Sequence, residues 1–316
     1  MMAAKASKII TSSYKSFCDY LRISPDGLEK IILGPDAFID HKFSKTIKGK
    51  KRDFLVPNTQ LAGILKKIDR LVKKQIPLPS YVYGWVKGKS SRKNALLHAG
   101  AEYLFTTDIE SFFPNISQQK ISDSLVKSGF NQVVSTKISL LTTFGGILPH
   151  GYHSSPTLAN VVFIENDRRL YRLAKKNHFV YSRCGDDISL SGERPVYPLM
   201  GTISAIVRQS GFILSKKKTI NSGPHDKKVI TKLVVNSSPR PEKKYVSNLK
   251  NDIRSLWEGG VGLAKLSRQN GMSPKRMIKN IWGRLHYVKS SNPKLYRAIR
   301  GLLVKARTKL DIAPPR

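Results

Sequence analysis

Phe179, Tyr181, Ile188 and Leu190 alternate along a strand–turn–strand segment whose turn carries two adjacent acids, Asp186-Asp187. A period-2 pattern of this kind buries one face of a hairpin and leaves the turn at its rim. A second apolar run, Tyr103 to Asp108, also reads as a strand and also ends on a carboxylate. Neighbouring strands can bring such ends together from distant sequence positions. Close carboxylates repel by about 4 kcal/mol per pair at a surface-like dielectric, so convergence calls for hard cations, which prefer carboxylate oxygens. Two Mg²⁺ ions about 3.5–4 Å apart activate an attacking 3′-hydroxyl and neutralise a leaving pyrophosphate. The doublet alone says little. Among 14 Asp, about one such pair arises by chance, and by itself it reads as a solvated turn.

Acids are otherwise scarce. Fifty-six Lys and Arg face 21 Asp and Glu in 316 residues, a net charge of +35. Self-repulsion on that scale disfavours a compact monomer without a neutralising polyanion. Nucleic acid fits best, with an affinity that falls steeply with salt; a membrane surface and ribosomal RNA are the bland alternatives from composition. Cys18 and Cys184 lie far apart in sequence, which argues against a disulfide framework and for a reducing compartment. Met1 to Tyr14 has no apolar h-region and no stretch approaches 18 consecutive apolar residues, so secretion and membrane spanning are not expected and the cytoplasm is the default location.

Along the chain, residues 6 to 33 read as one or two short helices broken near Ser24-Pro25-Asp26-Gly27. Asp36 to Pro57 reads as a β-hairpin with a basic tip, Lys48-Gly49-Lys50-Lys51-Arg52. Leu61, Ile64, Leu65, Ile68 and Leu71 give helical spacing over Thr59 to Lys74. Helices are expected over Ser117 to Lys127 and Ser155 to Leu173, the latter with Pro156 in its first turn. Val229 to Asn236 reads as a strand. From Lys243 onward the pattern is helical, and residues 240 to 316 hold 19 Lys or Arg against 4 Asp or Glu. Strands and helices mix without regular βαβ alternation, so the expected class is α+β.

Four blocks then occur in order. Asp108-Ile109-Glu110-Ser111-Phe112-Phe113-Pro114-Asn115-Ile116 resembles motif A of bacterial reverse transcriptases. Leu148-Pro149-His150-Gly151-Tyr152-His153-Ser154-Ser155-Pro156-Thr157-Leu158-Ala159-Asn160 resembles motif B. Tyr181 to Ser191 is similar to motif C, and Gly211 to Thr219 to motif D. Asn94-Ala95-Leu96-Leu97-His98 matches the NAxxH signature of the retron enzymes, and Ile281 to Val288 resembles their thumb. Ile230-Thr231-Lys232 stands where the retron signature has Val-Thr-Gly. Two further departures are Cys184-Gly185, in place of Tyr-Ala before the acids, and His150 with Tyr152-His153, in place of Gln and Ala-Pro in motif B.

The resemblance implies a right-hand polymerase: an N-terminal helical extension (1–35), fingers (36–102), a palm of antiparallel sheet and helices (103–242, with a fingers segment at about 115–150) and a basic helical thumb (243–316). It implies an RNA-directed DNA polymerase of a retron that copies a structured noncoding RNA into branched msDNA, using dNTPs and two Mg²⁺ ions, with Mn²⁺ as a substitute, together with an effector protein in bacterial antiphage defence. Asp108, Asp186, Asp187 and the Ile109 carbonyl would hold metal. Arg52 would grip the triphosphate, helped by Lys48 or Lys50, because its planar fork suits phosphate. Phe113 would underlie the sugar and exclude a 2′-hydroxyl; its bland alternative is plain core. Lys218, or nearly as well Lys217, would protonate the leaving pyrophosphate. Gly151 would let backbone approach nucleotide and template, Ser154 or Ser155 would cap the following helix, and Asn160 would contact the nucleotide site. Asn94 and His98 would touch RNA or form a satisfied structural pair, and Trp282 and Arg284, with Trp257, Tyr287 and Tyr296, would follow an RNA duplex. The competing possibilities are a catalytically weakened RNA-binding scaffold of the same fold, and a diversity-generating or intron-type enzyme.

Overall fold

The computed structural model describes residues 11–47 and 50–308, so Lys48 and Gly49 at the basic tip lie outside the described residues. The chain forms two compact units. The first comprises residues before 91, 105–191 and 195–221; the second comprises 91–104, 192–194 and the residues from 222 on.

In the first unit, α1 (Tyr14–Leu21) and α2 (Pro25–Leu33) are separated where the sequence breaks. Arg22 turns left-handed at φ 55, and the Ser24 hydroxyl accepts from Gly27 N–H to cap α2. β1 (Ile39–Ile47) and β2 (Lys50–Pro57) pair antiparallel, with Arg52 opposite Lys45. α3 (Thr59–Gln75) starts where the Asn58 side chain accepts from Leu61 N–H, 2.9 Å, and buries the expected stripe of Leu61, Ile64, Leu65, Ile68 and Leu71. α4 (Gln118–Lys127), α5 (Gln132–Thr142) and the long α6 (Ser155–Lys176) follow, with Pro156 in the first turn of α6. A four-stranded sheet in the order β4-β5-β3-β6 is built from β3 (Tyr103–Asp108), β4 (Val180–Cys184), β5 (Asp187–Gly192) and β6 (Ile220–Ser222); α7 (Met200–Gln209) precedes β6. Phe105, Tyr181, Ile188 and Leu190 from the sheet share one core with Leu158, Phe163 and Leu170 of α6, and with Phe112 and Phe212. Each such side chain contributes roughly 1.5–3 kcal/mol by leaving water.

The second unit holds a short helix (Ser91–Leu96), a three-stranded sheet and a helical bundle. The sheet pairs β7 (Val229–Ile230), β8 (Leu233–Val234) and β9 (Arg240–Pro241) antiparallel. The single strand expected over Val229 to Asn236 is therefore a tight hairpin. Thr231 and Lys232 both take left-handed backbone, φ 46 and 67, without the Gly or Asn that usually announces such a turn. The bundle comprises α8 (Lys243–Ser255), α9 (Gly259–Gln269), α10 (Pro274–Ser291) and α11 (Pro293–Thr308), around Leu249, Ile253, Leu256, Met277, Ile281 and Leu285. No described helix is long and apolar enough to cross a membrane. The architecture is α+β, with a helical C-terminal bundle.

Candidate active site

Cys184 pairs with Asp187, which leaves Gly185 and Asp186 as a two-residue turn, and Gly185 supplies its positive φ of 71. β5 lies beside β3 in the sheet, and Ile109 N–H donates to the Asp186 carbonyl at 2.9 Å, locking the end of β3 to that turn. Ligand oxygens of Asp108, Asp186 and Asp187 consequently lie within 4.8 Å of one another. Asp108 is buried and Asp187 exposed. Burial pushes the Asp108 carboxyl above the usual carboxylate range; the Lys218 ammonium, 2.6 Å away, pulls it back, and the neighbouring Asp186 carboxylate adds to the push. Three like charges this close form a hard-oxygen donor set that suits Mg²⁺ or Mn²⁺.

Asp108 and Asp186 open onto a cavity of about 480 Å³ that is also lined by Arg52, Lys51, Phe113, His150 and Lys218. Lys51 was not singled out by the sequence, whereas the Lys50 side chain lies outside the described ones. Phe113 is only 9% exposed and lies in ring contact with His150, 4.9 Å between centroids. Burial and the neighbouring Arg52 charge push the His150 imidazole down, so it is neutral at pH 7. Gly151 does allow a close approach, but to the protein itself. A Cβ there would fall 2.1 Å from the Leu55 carbonyl oxygen, and Leu55 N–H donates to the His150 carbonyl, 2.9 Å, docking β2 onto this segment. Ser154 occupies the N-cap position of α6 without a side-chain cap bond, while Ser155 Oγ donates to the Pro149 carbonyl instead.

Asn160 is fully buried behind the cavity. Its Nδ2 donates to the Gly84 carbonyl at 2.9 Å and its Oδ1 accepts from Arg183 Nη1 at 3.0 Å. Arg183 is the group the sequence concealed. Wholly buried, it donates to Asp167 through Nε and Nη2, 2.8 and 2.6 Å, and Nη1 also donates to the Gly185 carbonyl at 2.8 Å. The Tyr181 hydroxyl donates to the same Asp167 at 2.6 Å. A buried ion pair thus grips the turn that presents Asp186. Burial and Asp187 push the Cys184 thiol up to about 11, which keeps it protonated at neutral pH.

The remaining expected residues belong to the second unit. Asn94 and His98 are each 1% exposed, and burial pushes the His98 imidazole down to about 4. Trp282 packs against the bundle core, and Arg284 is ion-paired with Asp252 and lies over the Tyr245 ring.

No protein-family model matches the chain. It is 27% identical over 219 residues to the retron Ec86 reverse transcriptase of Escherichia coli, covering 68% of each chain. It is 26% identical over 302 residues to the retron Mx162 reverse transcriptase of Myxococcus xanthus, covering 84% of this chain and 60% of that protein. A third match, the retron Se72 reverse transcriptase of Salmonella heidelberg, is 28% identical over 177 residues and is covered to 46% of its length. Among solved structures, a Candida albicans telomerase in complex with a telomeric RNA fragment superposes on 86% of the chain at 11% identity, with a TM-score of 0.49, too slight a likeness to build on. With an acid cluster at a strand end and hairpin turn, the chain is similar over large parts of its length to several retron reverse transcriptases, which are RNA-directed DNA polymerases.

Proposed function

We propose that this chain copies a structured noncoding RNA into branched msDNA by nucleotidyl transfer at Asp108, Asp186 and Asp187. The observation that carries the proposal is the approach of these three acids to within 4.8 Å at the mouth of a cation-lined cavity. Two Mg²⁺ ions, or Mn²⁺ in their place, would be held by these carboxylates and the Ile109 carbonyl, and would supply the charge that activates a 3′-hydroxyl and neutralises a leaving pyrophosphate.

The chain's own groups do the rest. Arg52 offers its fork to the triphosphate, with Lys51 beside it. Phe113, held against His150, forms the floor under the sugar and leaves no room for a 2′-hydroxyl. Lys218, paired with Asp108, is the proton donor to the departing pyrophosphate. The Gly151 and Asn160 contacts keep β2 and the acid-bearing turn in register around these groups. We assign 36–102 to fingers, 103–242 to palm and 243–316 to a thumb whose cations, Arg284 among them, follow phosphates and 2′-hydroxyls of an A-form duplex. Trp282 serves the same RNA contact, whereas Asn94 and His98, each 1% exposed, are too buried to touch RNA and take the structural alternative. A cytoplasmic role in antiphage defence with an effector protein is proposed from kinship.

The test is RNA-templated dNTP incorporation by the purified protein, with sequencing of the RNA and DNA that co-purify. Mg²⁺-dependent extension abolished by Asp186→Asn, with DNA branched from RNA, is expected. Extension that survives Asp186→Asn overturns the site.

A further inference from the structure

Trp85 lines the same cavity as Asp108, Asp186 and Lys218, yet is 45% exposed. Its backbone sits at φ 58, left-handed territory that costs an L-residue roughly 1–2 kcal/mol. Such strain persists only where the surroundings impose it. Here they do. Tyr83 N–H donates to the Arg183 carbonyl at 2.7 Å and Asn160 Nδ2 to the Gly84 carbonyl at 2.9 Å. A Cβ on Gly84 would meet the Gly185 nitrogen at 2.1 Å. The segment leading into the indole is therefore clamped, backbone to backbone, onto the hairpin that carries Asp186 and Asp187. The ring itself lies over Gly185, where a Cβ would fall 3.1 Å from Cη2, which gives a structural reason for glycine at this position. Its other ring neighbour is Phe113, 5.5 Å between centroids.

Packing does not account for the tryptophan, since nearly half of it faces solvent while the chain bears the strain of holding it there. A rigidly held, half-exposed indole beside a catalytic centre is a surface for another flat face. The ring contacts give its neighbours an order: Phe54 on the strand of Arg52, then His150, Phe113, Trp85 and finally the Gly185 turn. If Arg52 takes the triphosphate and Phe113 the sugar of the incoming nucleotide, the next ring toward the acids faces the nucleotide whose 3′-hydroxyl must attack.

We propose that Trp85 is the stacking platform for the nucleobase of the 3′-terminal nucleotide of the growing strand, a claim that rests on the polymerase function above. Trp85 is a positioning residue: it touches no reacting atom, and by fixing the terminal base it aims the 3′-hydroxyl at the acids. Because every base has a π-face, the contact is indifferent to sequence.

The test is single-nucleotide extension of a primed RNA template by wild type, Trp85→Ala, Trp85→Gly and Trp85→Phe. Each is run on an ordinary primer and on one whose 3′-terminal nucleotide is abasic. Trp85→Gly is included because glycine suits the backbone at this position and removes the ring without adding strain. On the ordinary primer, the Ala and Gly variants should extend about tenfold more slowly, with dNTP KM unchanged and the Phe variant close to wild type. On the abasic primer, wild type should fall to the level of the variants, and the substitutions should make no further difference. An equal penalty on both primers, or none on either, overturns the inference while leaving the polymerase function standing. Failure of wild type to extend the ordinary primer overturns both.

Discussion

Asp167→Asn probes the buried frame beneath the acid-bearing turn. The substitution keeps the shape of the side chain but removes the charge that neutralises Arg183, and both residues are wholly buried. Two charge-assisted bonds, 2.8 and 2.6 Å, are weakened at once, and one amide hydrogen is turned toward a guanidinium that can only donate. Breaking a buried pair from one side typically costs about 3–5 kcal/mol, because the remaining charge has no partner and no water. Against a total stability of about 5–15 kcal/mol that is a large share, and for a unit of this size it corresponds to a fall in Tm of roughly 10 °C. Replacing the whole set with apolar residues, in Tyr181→Phe/Asp167→Leu/Arg183→Met, should recover most of that stability, since no buried charge is left alone. Extension activity should not recover, because nothing then donates to the Gly185 carbonyl or to Asn160 Oδ1. Thermal unfolding by circular dichroism and primer extension on the same preparations separate the two effects. A Tm fall below about 2 °C for Asp167→Asn would contradict the charge argument. Recovery of activity together with stability in the triple variant would show that Arg183 does not position the turn.

Lys232→Gly should stabilise the protein by about 1 kcal/mol in urea unfolding, since its φ of 67 strains any residue with a Cβ; a loss of stability would refute the backbone argument. His98 gives a pH dependence of definite sign. Its folded value of about 4 lies below the ordinary value of about 6.5, so the unfolded chain binds the proton first as pH falls. The stability it contributes is complete above pH 6.5 and is lost between 6.5 and 4, about 2 kcal/mol of it by pH 5. His98→Gln should flatten that part of the urea-midpoint profile, and an unchanged slope would show that another group carries it.

The elements that position the acids were legible because each has a local cause. Alternation at Phe179, Tyr181, Ile188 and Leu190 marks the hairpin, and the stripe from Leu61 to Leu71 marks α3. What was hidden depends on partners far along the chain. Nothing around Arg183 announces Asp167 or Asn160, because a buried ion pair has no periodicity. Nothing around Trp85 announces a left-handed backbone, since the clamp comes from Gly185 and Arg183. At Thr231-Lys232 the turn lacks the residues that normally betray one, so two short strands read as one. Gly151 marked a close approach, but only the folded chain shows that Leu55 makes it.

The central claim is that Asp108, Asp186 and Asp187 act together as a divalent-cation site, and calorimetric titration of Mn²⁺ into nucleic-acid-free protein tests it most directly. Saturable Mn²⁺ binding by the wild type is expected, abolished by Asp108→Asn and by Asp186→Asn and untouched by Asp123→Asn, an acid outside the cluster. Equal binding by the wild type and all three variants would contradict the account.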